Sequence, residues 1–292
     1  MIGPPEPENF ENPSGDPLFG FAPEAFASVF DFGCGCGRLA RIMMLQKERP
    51  RRYLGIDVHQ GMVEWCQKNL TPVDPSFRFV HHDVFAHSYA PGNRLQLSQP
   101  FPLGDGEATL VIASSVFTHL YLGQAEYYLS EIARILAPGG TALTTWFFFD
   151  KDSYPFLLEG PHVLYTSERD PTQAVIFDRR WFLDAARRVG LGVKNTRHPP
   201  VAGHQWAVYL GRREEVPVDA FPLGEDEAEW LCGATAKPMA RPEVSAEVAE
   251  KLKVHSVDPQ SGPHRPEPPP LFGVLAELDA TRRALEEARR YR

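Results

Sequence analysis

The chain has 292 residues, of which 43% are hydrophobic and 23% charged, and its formal net charge is −8. That size and apolar fraction suffice for one large domain or two smaller ones with a substantial core. The acidic balance argues against a nucleic-acid partner. No segment approaches the roughly 18 continuous apolar residues of a membrane span, and the N-terminus lacks a secretory leader, so we expect a cytoplasmic protein.

Residues 1–27 are rich in Pro, Gly, Asn and Glu and contain four phenylalanines. We expect an irregular arm that packs through its aromatic side chains and could reach over the functional site. From residue 28 onward, short apolar strands alternate with amphipathic helices, which is typical of α/β folds. Five strands are predicted, over 28–32, 53–58, 77–84, 108–116 and 141–149. Three helices are predicted between them, over 38–48, 61–70 and 125–136.

An irregular insertion is expected over 150–178, and its aromatic residues suit either a lid over a substrate pocket or a small packing layer. A helix (179–190) and two further strands (192–198 and 205–213) complete the pattern. The seven strands and their helices predict one domain over 28–213. The almost wholly apolar fourth strand indicates a parallel sheet covered on both faces. The fold class expected is therefore α/β, with a doubly wound, mostly parallel sheet.

The composition changes after residue 213. Residues 214–270 are first acidic and then rich in proline, which is typical of a linker. The last segment, 271–292, has leucines seven residues apart and resembles about three heptads of a coiled coil. It could form a homo-oligomer, bind a partner enzyme, or lie as a charged helix against the main domain.

The stretch DFGCGCGRLAR (31–41) stands where the first strand passes into the first helix, which is the ligand position of doubly wound sheets. Its two cysteines, Cys34 and Cys36, raise the question of a metal or redox site. They have no C-x-x-C frame and no evident partners at zinc-ligand spacing. We interpret them as small side chains in a tight turn and expect no metal.

The glycines of this loop fit two cofactor patterns. Gly35, Gly37 and Ala40 match the dinucleotide pattern G-x-G-x-x-[GA], and Asp57 follows at the distance of a ribose-binding acid. This match predicts an NAD-dependent oxidoreductase.

The second pattern, acid-x-G-x-G-x-G, is that of an S-adenosylmethionine site, and Asp31, Gly33, Gly35 and Gly37 match it. Asp31 favours this alternative. A carboxylate at the mouth of a pyrophosphate site would face two phosphate charges, whereas it attracts a ligand that carries an ammonium and a sulfonium. A cap on the following turn is the structural alternative for Asp31.

Carboxylates also follow the second and third strands. Asp57 could accept both ribose hydroxyls, and Asp83 could accept from the adenine amino group. Met62 is expected against the adenine face, and the backbone N–H of Val84 at a ring nitrogen. The predicted cofactor contacts are Asp31, Gly33, Cys34, Gly35, Gly37, Asp57, Val58, Met62, Asp83, Val84 and Ser114.

Taken together, the segments VFDFGCGCGR, YLGIDV, HHDVF, SSVFTHL and ARILAPGGTAL resemble a class I SAM-dependent methyltransferase. The resemblance covers about residues 28–213. It implies a seven-stranded sheet whose last strand is antiparallel, and S-adenosyl-L-methionine as the cofactor. SSVFTHL and the helix after it look most like small-molecule enzymes, particularly those of bacterial sugar or glycan modification.

His119, just past the fourth strand, is the first candidate for a catalytic base, and a scaffold role beside the cofactor is the alternative. His204, between the sixth and seventh predicted strands, is the second candidate base, and an ordinary loop histidine is the alternative. Asp150 follows the aromatic run of the fifth strand, one or two of whose rings could line the acceptor pocket. His81, His82 and Asp83 could suggest a metal, but neighbouring residues on a strand point to opposite faces of the sheet.

The function expected is a SAM-dependent methyltransferase that acts on a small molecule or a glycan, at oxygen. Two alternatives stay open: the NAD-dependent oxidoreductase, and a SAM-binding scaffold module without catalysis.

Overall fold

The computed structural model describes residues 11–93, 96–149, 162–165, 170–197 and 205–216. Within these ranges it contains nine strands and four α-helices. The strands are β1 (Val29–Phe32), β2 (Tyr53–Asp57), β3 (Phe77–His81), β4 (Ala108–Ala113), β5 (Leu136–Phe149), β6 (Val163–Tyr165), β7 (Val175–Asp178), β8 (Leu191–Arg197) and β9 (Trp206–Arg212). The helices are α1 (Arg38–Met44), α2 (Gln60–Asn69), α3 (Leu122–Ile135) and α4 (Arg179–Arg188). None of these helices is long and apolar enough to cross a membrane.

The strands pair in the order β3-β2-β1-β4-β5, and every neighbour in this run is parallel. β9 lies antiparallel beside residues 142–146 of β5, and β8 lies antiparallel beside β9. The chain order reverses between β1 and β4, so a crevice opens at the carboxyl ends of these two strands. The predicted doubly wound, mostly parallel sheet with an antiparallel last strand is confirmed.

The inserted segment differs from the sequence prediction. Residues 163–165 and 175–178, expected to be irregular, form the antiparallel pair β6–β7. β7 runs parallel to the last three residues of β5, Phe147–Phe149, which β9 leaves unpaired. The physical reason is that the aromatic end of β5 extends beyond the residues that pair with β9. The backbone N–H and C=O groups of this end are therefore available to another strand. The short apolar runs VLY and VIFD are recruited to that edge.

Local sequence explains where the helices begin. The side chain of Asp178 accepts a hydrogen bond from the N–H of Arg180, and this caps α4. The His59 side chain caps α2 in the same way, through the N–H of Met62. α1 instead follows Gly37, whose backbone is left-handed and which has no side chain to cap the helix. The first N–H groups of a helix have no partner within it. The side-chain caps of α2 and α4 each accept from one of these groups.

Two apolar clusters cover the two faces of the sheet. The larger one joins α3 and α4 to side chains such as Phe30, Ile56 and Trp146. The smaller one joins α1 and α2 to the alternate side chains of the same strands, among them Val29 and Tyr53. Because side chains of a strand alternate between faces, Asp31 belongs to the α1–α2 side, while Phe30 and Phe32 face α3.

The N-terminal arm lies away from the crevice over its described part, residues 11–27. The Leu18 N–H donates to the Gln46 side chain just after α1, and the Arg51 N–H donates to the Phe26 carbonyl before β2. These contacts hold the arm at the amino ends of the strands. A role for residues 11–27 as a lid over the site is therefore wrong, because a parallel sheet places its ligand crevice at the opposite edge. The aromatic packing of the arm is confirmed: Phe21 contacts Phe26 and Tyr209 edge-on or tilted.

Several predictions lie outside the described residues. They are the candidates Asp150 and His204, the linker from residue 217 onward, and the heptad segment 271–292.

Candidate functional site

The loop between β1 and α1 is built on three left-handed glycines. Gly33, Gly35 and Gly37 have φ angles of 82°, 54° and 78°. The N–H groups of Gly33 and Cys34 donate to the carbonyl of Ile56 on β2, at 2.8 Å and 3.0 Å. The loop therefore folds back onto the end of β2 in a conformation that residues with a Cβ rarely adopt.

The three glycines serve different purposes. A Cβ on Gly33 would lie 2.4 Å from Cγ2 of Val116, and one on Gly37 would lie 2.4 Å from Cδ1 of Leu70. Both glycines thus allow close internal packing. A Cβ on Gly35 would meet nothing within 4 Å. The backbone at Gly35 therefore borders open space, which is the condition for a ligand to approach it closely.

Asp57, at the end of β2, holds this loop in place. Its Oδ2 accepts from the Gly35 N–H at 2.8 Å, and its Oδ1 accepts from the His59 N–H at 2.8 Å. Each carboxylate oxygen has a second lone pair, so both can accept a further hydrogen bond from a ligand. Met62 is partly buried one turn into α2, beside this carboxylate-bearing loop.

Asp31 is more deeply placed than the sequence pattern suggested. The residue is 1% exposed, and its Oδ2 accepts from the Tyr53 hydroxyl at 2.5 Å. Burial raises the pKa of Asp31 from 3.8 to about 7, although the Tyr53 hydrogen bond acts in the opposite direction. Near neutral pH, Asp31 can therefore gain or lose its proton when its surroundings change.

The cysteines lie around the same loop as free thiols. Cys34 and Cys66 are buried, and the Sγ of each points to the carbonyl of Gly35, at 3.8 Å and 3.5 Å. Burial raises the pKa of the Cys66 thiol to about 12. Cys34 and Cys66 are thus packed thiols with little tendency to ionise. For Cys34, this agrees with its interpretation as a small side chain in a tight turn. Over the described ranges, no three His, Cys, Asp or Glu side chains converge as a metal site would require.

Asn93 organises the next part of the crevice, and sequence reasoning missed it. Its side-chain amide donates to the carbonyls of Val58 and Val84, at 2.8 Å and 3.0 Å. It thereby ties the loop after β2 to the loop after β3. The Val84 N–H donates to the His82 carbonyl at 2.8 Å, so an adenine ring nitrogen would have to replace that bond. An asparagine in a turn-rich stretch carries no distinguishing pattern, so only the fold reveals this role.

His81 and His82 point to opposite faces of the sheet. His82 is buried, with Nε2 at 2.8 Å from the Tyr128 hydroxyl, and burial lowers its pKa to about 4. His81 instead places Nε2 at 3.1 Å from the Val58 carbonyl. Asp83 follows them in the chain and is partly buried. The alternation argument against a shared metal site therefore matches the geometry of this pair.

A polar cluster lies at the carboxyl end of β4. Ser114 and Ser115 are exposed there, and Ser115 has a φ of 56°, a strained value for a residue with a side chain. The Ser115 N–H donates to Oγ1 of Thr145 at 2.7 Å, and that hydroxyl donates to Oε1 of Gln205 at 2.5 Å. Gln205 in turn donates to Oγ of Ser115 at 2.8 Å. The cluster fixes the backbone that faces the β1 loop across the crevice.

His119 lies in a short 3-10 helix, Phe117–His119, directly after this cluster. Its Nδ1 is 2.9 Å from the Thr172 carbonyl, and its Nε2 is 3.2 Å from the Tyr89 hydroxyl. The rings of Tyr89 and His119 meet edge-to-face, with centroids 5.1 Å apart. Burial lowers the pKa of His119, so the imidazole is neutral near pH 7.

The partners of His119 are themselves held by Asp170. Its Oδ1 accepts from the N–H and the hydroxyl of Thr172, at 3.1 Å and 2.9 Å. Its Oδ2 accepts from the Ser88 hydroxyl, and His87 lies 3.3 Å from Oδ1. The segment around Thr172 is thus joined to the loop that carries Tyr89. Neither Tyr89 nor Asp170 carries a recognisable sequence signal, because the Ser88–Asp170 hydrogen bond that joins their two segments spans 82 residues of chain.

The structure brings most of the predicted residues to one edge of the sheet. Gly33 to Gly37, Asp57, Asp83, Ser114 and His119 all follow the carboxyl ends of β1 to β4. Asp31 instead lies within β1, buried against Tyr53 of the α1–α2 layer.

Residues 29–140 match the family model described as "Methyltransferase domain". A curated relative, the fatty-acid O-methyltransferase of Mycolicibacterium smegmatis, is 30% identical over 117 residues. This alignment covers 40% of the chain and 36% of the relative, so the chain spans about a third of the length of that protein.

Solved structures of similar shape include a TehB-like SAM-dependent methyltransferase from Corynebacterium glutamicum, with 20% identity and a TM-score of 0.41. The similarity covers 64% of this chain and 80% of that one. The O-methyltransferase NcsB1 of neocarzinostatin biosynthesis has 17% identity and a TM-score of 0.44, over 66% of this chain and 50% of its own. Residues 29–140 are therefore similar in sequence to a methyltransferase domain, and they span the strands β1 to β4 and the loop between β1 and α1.

Proposed function

We propose that the protein is a methyltransferase that uses S-adenosyl-L-methionine and methylates an oxygen atom of a small molecule or a glycan. One observation carries the proposal: the β1–α1 loop lies at the switch point of the sheet, with open space at Gly35 and the Asp57 carboxylate bonded to its backbone. The match to a methyltransferase domain supports the reaction class. The similarity to a fatty-acid O-methyltransferase supports oxygen as the acceptor atom.

The described residues fit this cofactor. Asp57 has free lone pairs on both oxygens for the ribose hydroxyls, and Asp83 with Val58 and Val84 would border the adenine. Gly33, Cys34, Gly35, Gly37 and Ser114 would border the methionine part. When bound, the cofactor supplies an electrophilic methyl group on a positively charged sulfur.

Asp31 adds an electrostatic reason for this ligand. A buried carboxylate whose pKa stands near neutrality is costly to ionise alone, and a nearby positive charge offsets that cost. S-adenosylmethionine carries a sulfonium and an ammonium, whereas the pyrophosphate of NAD would add repulsion. The charge of the ligand therefore favours the methyl donor over the dinucleotide.

Cofactor binding is the first test. A ligand at 100 times its dissociation constant stabilises the folded state by about 2.7 kcal/mol, which corresponds to roughly 5–10 °C in melting temperature for a domain of this size. We expect such a shift with 1 mM S-adenosylhomocysteine and none with 1 mM NADH. Asp57→Ala removes the shift, because it loses both the ribose acceptor and the bond that holds Gly35.

Glu64→Ala is the matched control, since this carboxylate on α2 is exposed and accepts a hydrogen bond from the Gln60 side chain one turn earlier. It should leave the shift unchanged. No shift with either S-adenosylmethionine or its demethylated product at millimolar concentration contradicts the proposal. A shift with NADH alone would favour the oxidoreductase instead.

A further inference from the structure

The hydrogen bonds of His119 have a fixed direction. The carbonyl of Thr172 can only accept, so the Nδ1 that lies 2.9 Å from it carries the proton. A neutral imidazole then has a lone pair on Nε2. The Tyr89 hydroxyl, 3.2 Å from that nitrogen, must be the donor. The chain of bonds therefore runs from Tyr89 to His119 to the Thr172 carbonyl.

This direction decides what Tyr89 presents to its surroundings. Its only proton points to His119, so the outer side of its oxygen carries lone pairs alone. Tyr89 is 38% exposed, and it is the exposed end of the chain of bonds, since Thr172 is buried. A ligand that meets this hydroxyl must therefore donate a hydrogen bond to it.

Tyr89 lies at the proposed cofactor site. It belongs to the loop that Asn93 ties to the ends of β2 and β3. Burial raises the pKa of the Tyr89 hydroxyl, and the negative charges of Asp170 and Asp57 raise it further. The hydroxyl thus stays protonated at neutral pH, in contact with His119 and within the electrostatic influence of Asp57.

We propose that Tyr89 and His119 form a proton relay that receives the proton of the methyl acceptor, and that the acceptor class is a neutral hydroxyl compound and not a carboxylate. The inference rests on the proposed methyltransferase function and assigns its acceptor chemistry. The acceptor hydroxyl donates to the Tyr89 oxygen, which donates to Nε2 of His119.

The reaction is balanced through these atoms. As the acceptor O–H bond breaks, its proton passes to Tyr89 while the Tyr89 proton passes to Nε2. The electron pair left on the acceptor oxygen forms the new O–CH3 bond, and the S–CH3 bond breaks with its pair staying on sulfur. The imidazolium so formed donates to the Thr172 carbonyl and lies near the Asp170 carboxylate, and it later releases its proton to water.

A carboxylate acceptor would have no use for this arrangement. It is already ionised at neutral pH, so it needs no base, and its oxygens would face the lone pairs of Tyr89. The burial of His119, which keeps the imidazole neutral, also removes the positive charge that could attract a carboxylate. The relay therefore predicts a preference for hydroxyl compounds. This differs from the relative described as a fatty-acid O-methyltransferase, whose name indicates a carboxylic acid as the acceptor.

The first test reads the proton positions directly and needs no acceptor. Nitrogen-15 NMR of the full chain, with the His119 signals assigned by their loss in His119→Gln, should show a neutral ring protonated on Nδ1. Tyr89→Phe should shift the Nε2 resonance, since it keeps the ring contact and removes the hydroxyl. Tyr127→Phe, at a partly buried position of α3 beside the Tyr128 ring, should leave it in place. A proton on Nε2, or an Nε2 resonance identical in wild type and Tyr89→Phe, overturns the relay.

The second test uses matched acceptors with radiolabelled S-adenosylmethionine: 2-naphthol against 2-naphthoic acid, and decan-1-ol against decanoic acid. We expect faster transfer to the hydroxyl member of a pair. Tyr89→Phe should lower kcat on that acceptor by about 100-fold, the lower range for a proton-transfer group. Tyr127→Phe should stay within about twofold of wild type. Faster transfer to the carboxylic acid, or full activity in Tyr89→Phe, refutes the inference.

The two proposals fail in different ways. If S-adenosylhomocysteine does not bind, the methyltransferase proposal fails, while the tautomer of His119 is still measured on the free protein. If the cofactor binds and neither acceptor pair reacts, the NMR result alone decides the relay.

Discussion

The substitution Asp31→Asn tests the buried carboxylate beneath the glycine loop. An asparagine keeps the shape and one oxygen to accept from Tyr53, but it cannot ionise. Asp31 is 1% exposed, and burial raises its pKa to about 7. Ionising it in the folded protein therefore costs free energy that the substitution removes.

The sign and size follow from the two pKa values. The folded state holds the proton more tightly than the unfolded state, so the stability from the neutral carboxyl is present at low pH. It is lost as the pH rises from 3.8 through about 7. Between pH 5 and pH 8 this linkage amounts to about 2.5 kcal/mol. Asp31→Asn lacks it, so its stability relative to wild type should rise by that amount over this interval.

Urea unfolding followed by tryptophan fluorescence at pH 5, 6, 7 and 8 measures the difference between the two proteins. Taking the difference removes the contributions of the groups that both proteins share, His82 and Glu131 included. Any constant effect of the new amide shifts all four points equally. A difference that stays level across the four pH values would refute the assignment of a raised pKa to Asp31.

The same variant bears on the cofactor. A positively charged ligand favours the ionised form of Asp31, so the affinity of wild type for S-adenosylmethionine should rise between pH 6 and pH 8. Asp31→Asn should bind more weakly and show little of this pH dependence. Isothermal titration calorimetry of both proteins at pH 6, 7 and 8 measures both effects.

Three further substitutions separate the roles of neighbouring residues. Gly35→Ala should cost only about 1 kcal/mol in the free energy of unfolding, for its left-handed backbone, yet weaken S-adenosylhomocysteine binding more than about tenfold, because its Cβ enters the open space. Gly33→Ala should destabilise the protein by about 3 kcal/mol, because its Cβ would lie 2.4 Å from Val116, and equal urea midpoints for the two variants would contradict this distinction. Asn93→Ala should lower stability by about 1–2 kcal/mol and weaken cofactor binding, since the carbonyls of Val58 and Val84 lose their shared donor; unchanged affinity by calorimetry would argue against a role for Asn93 in the site.

The described part of the fold was largely predictable because its signals are local. Apolar runs of strand length and amphipathic helices alternate along the chain, and the parallel sheet follows from that alternation. Where pairing depends on distant partners, the prediction was incomplete. β6 and β7 form because β5 outlasts β9, and the described arm lies at the amino edge because Leu18 and Phe26 find partners around α1 and β2.

The amino-acid sequence was enough to predict the strand-loop-helix unit with its glycines and a carboxylate at or near the end of each of the first three strands. It therefore also predicted the edge of the sheet at which a ligand would lie. Such features depend on the local backbone conformation, and the spacing of residue types along the chain is enough to predict them. The tertiary structure alone decided the protonation and direction of the polar groups. Asp31 is buried against Tyr53, and His119 is oriented by Thr172 and Tyr89. Burial and hydrogen-bond direction depend on what packs around a group, and those neighbours come from distant parts of the chain.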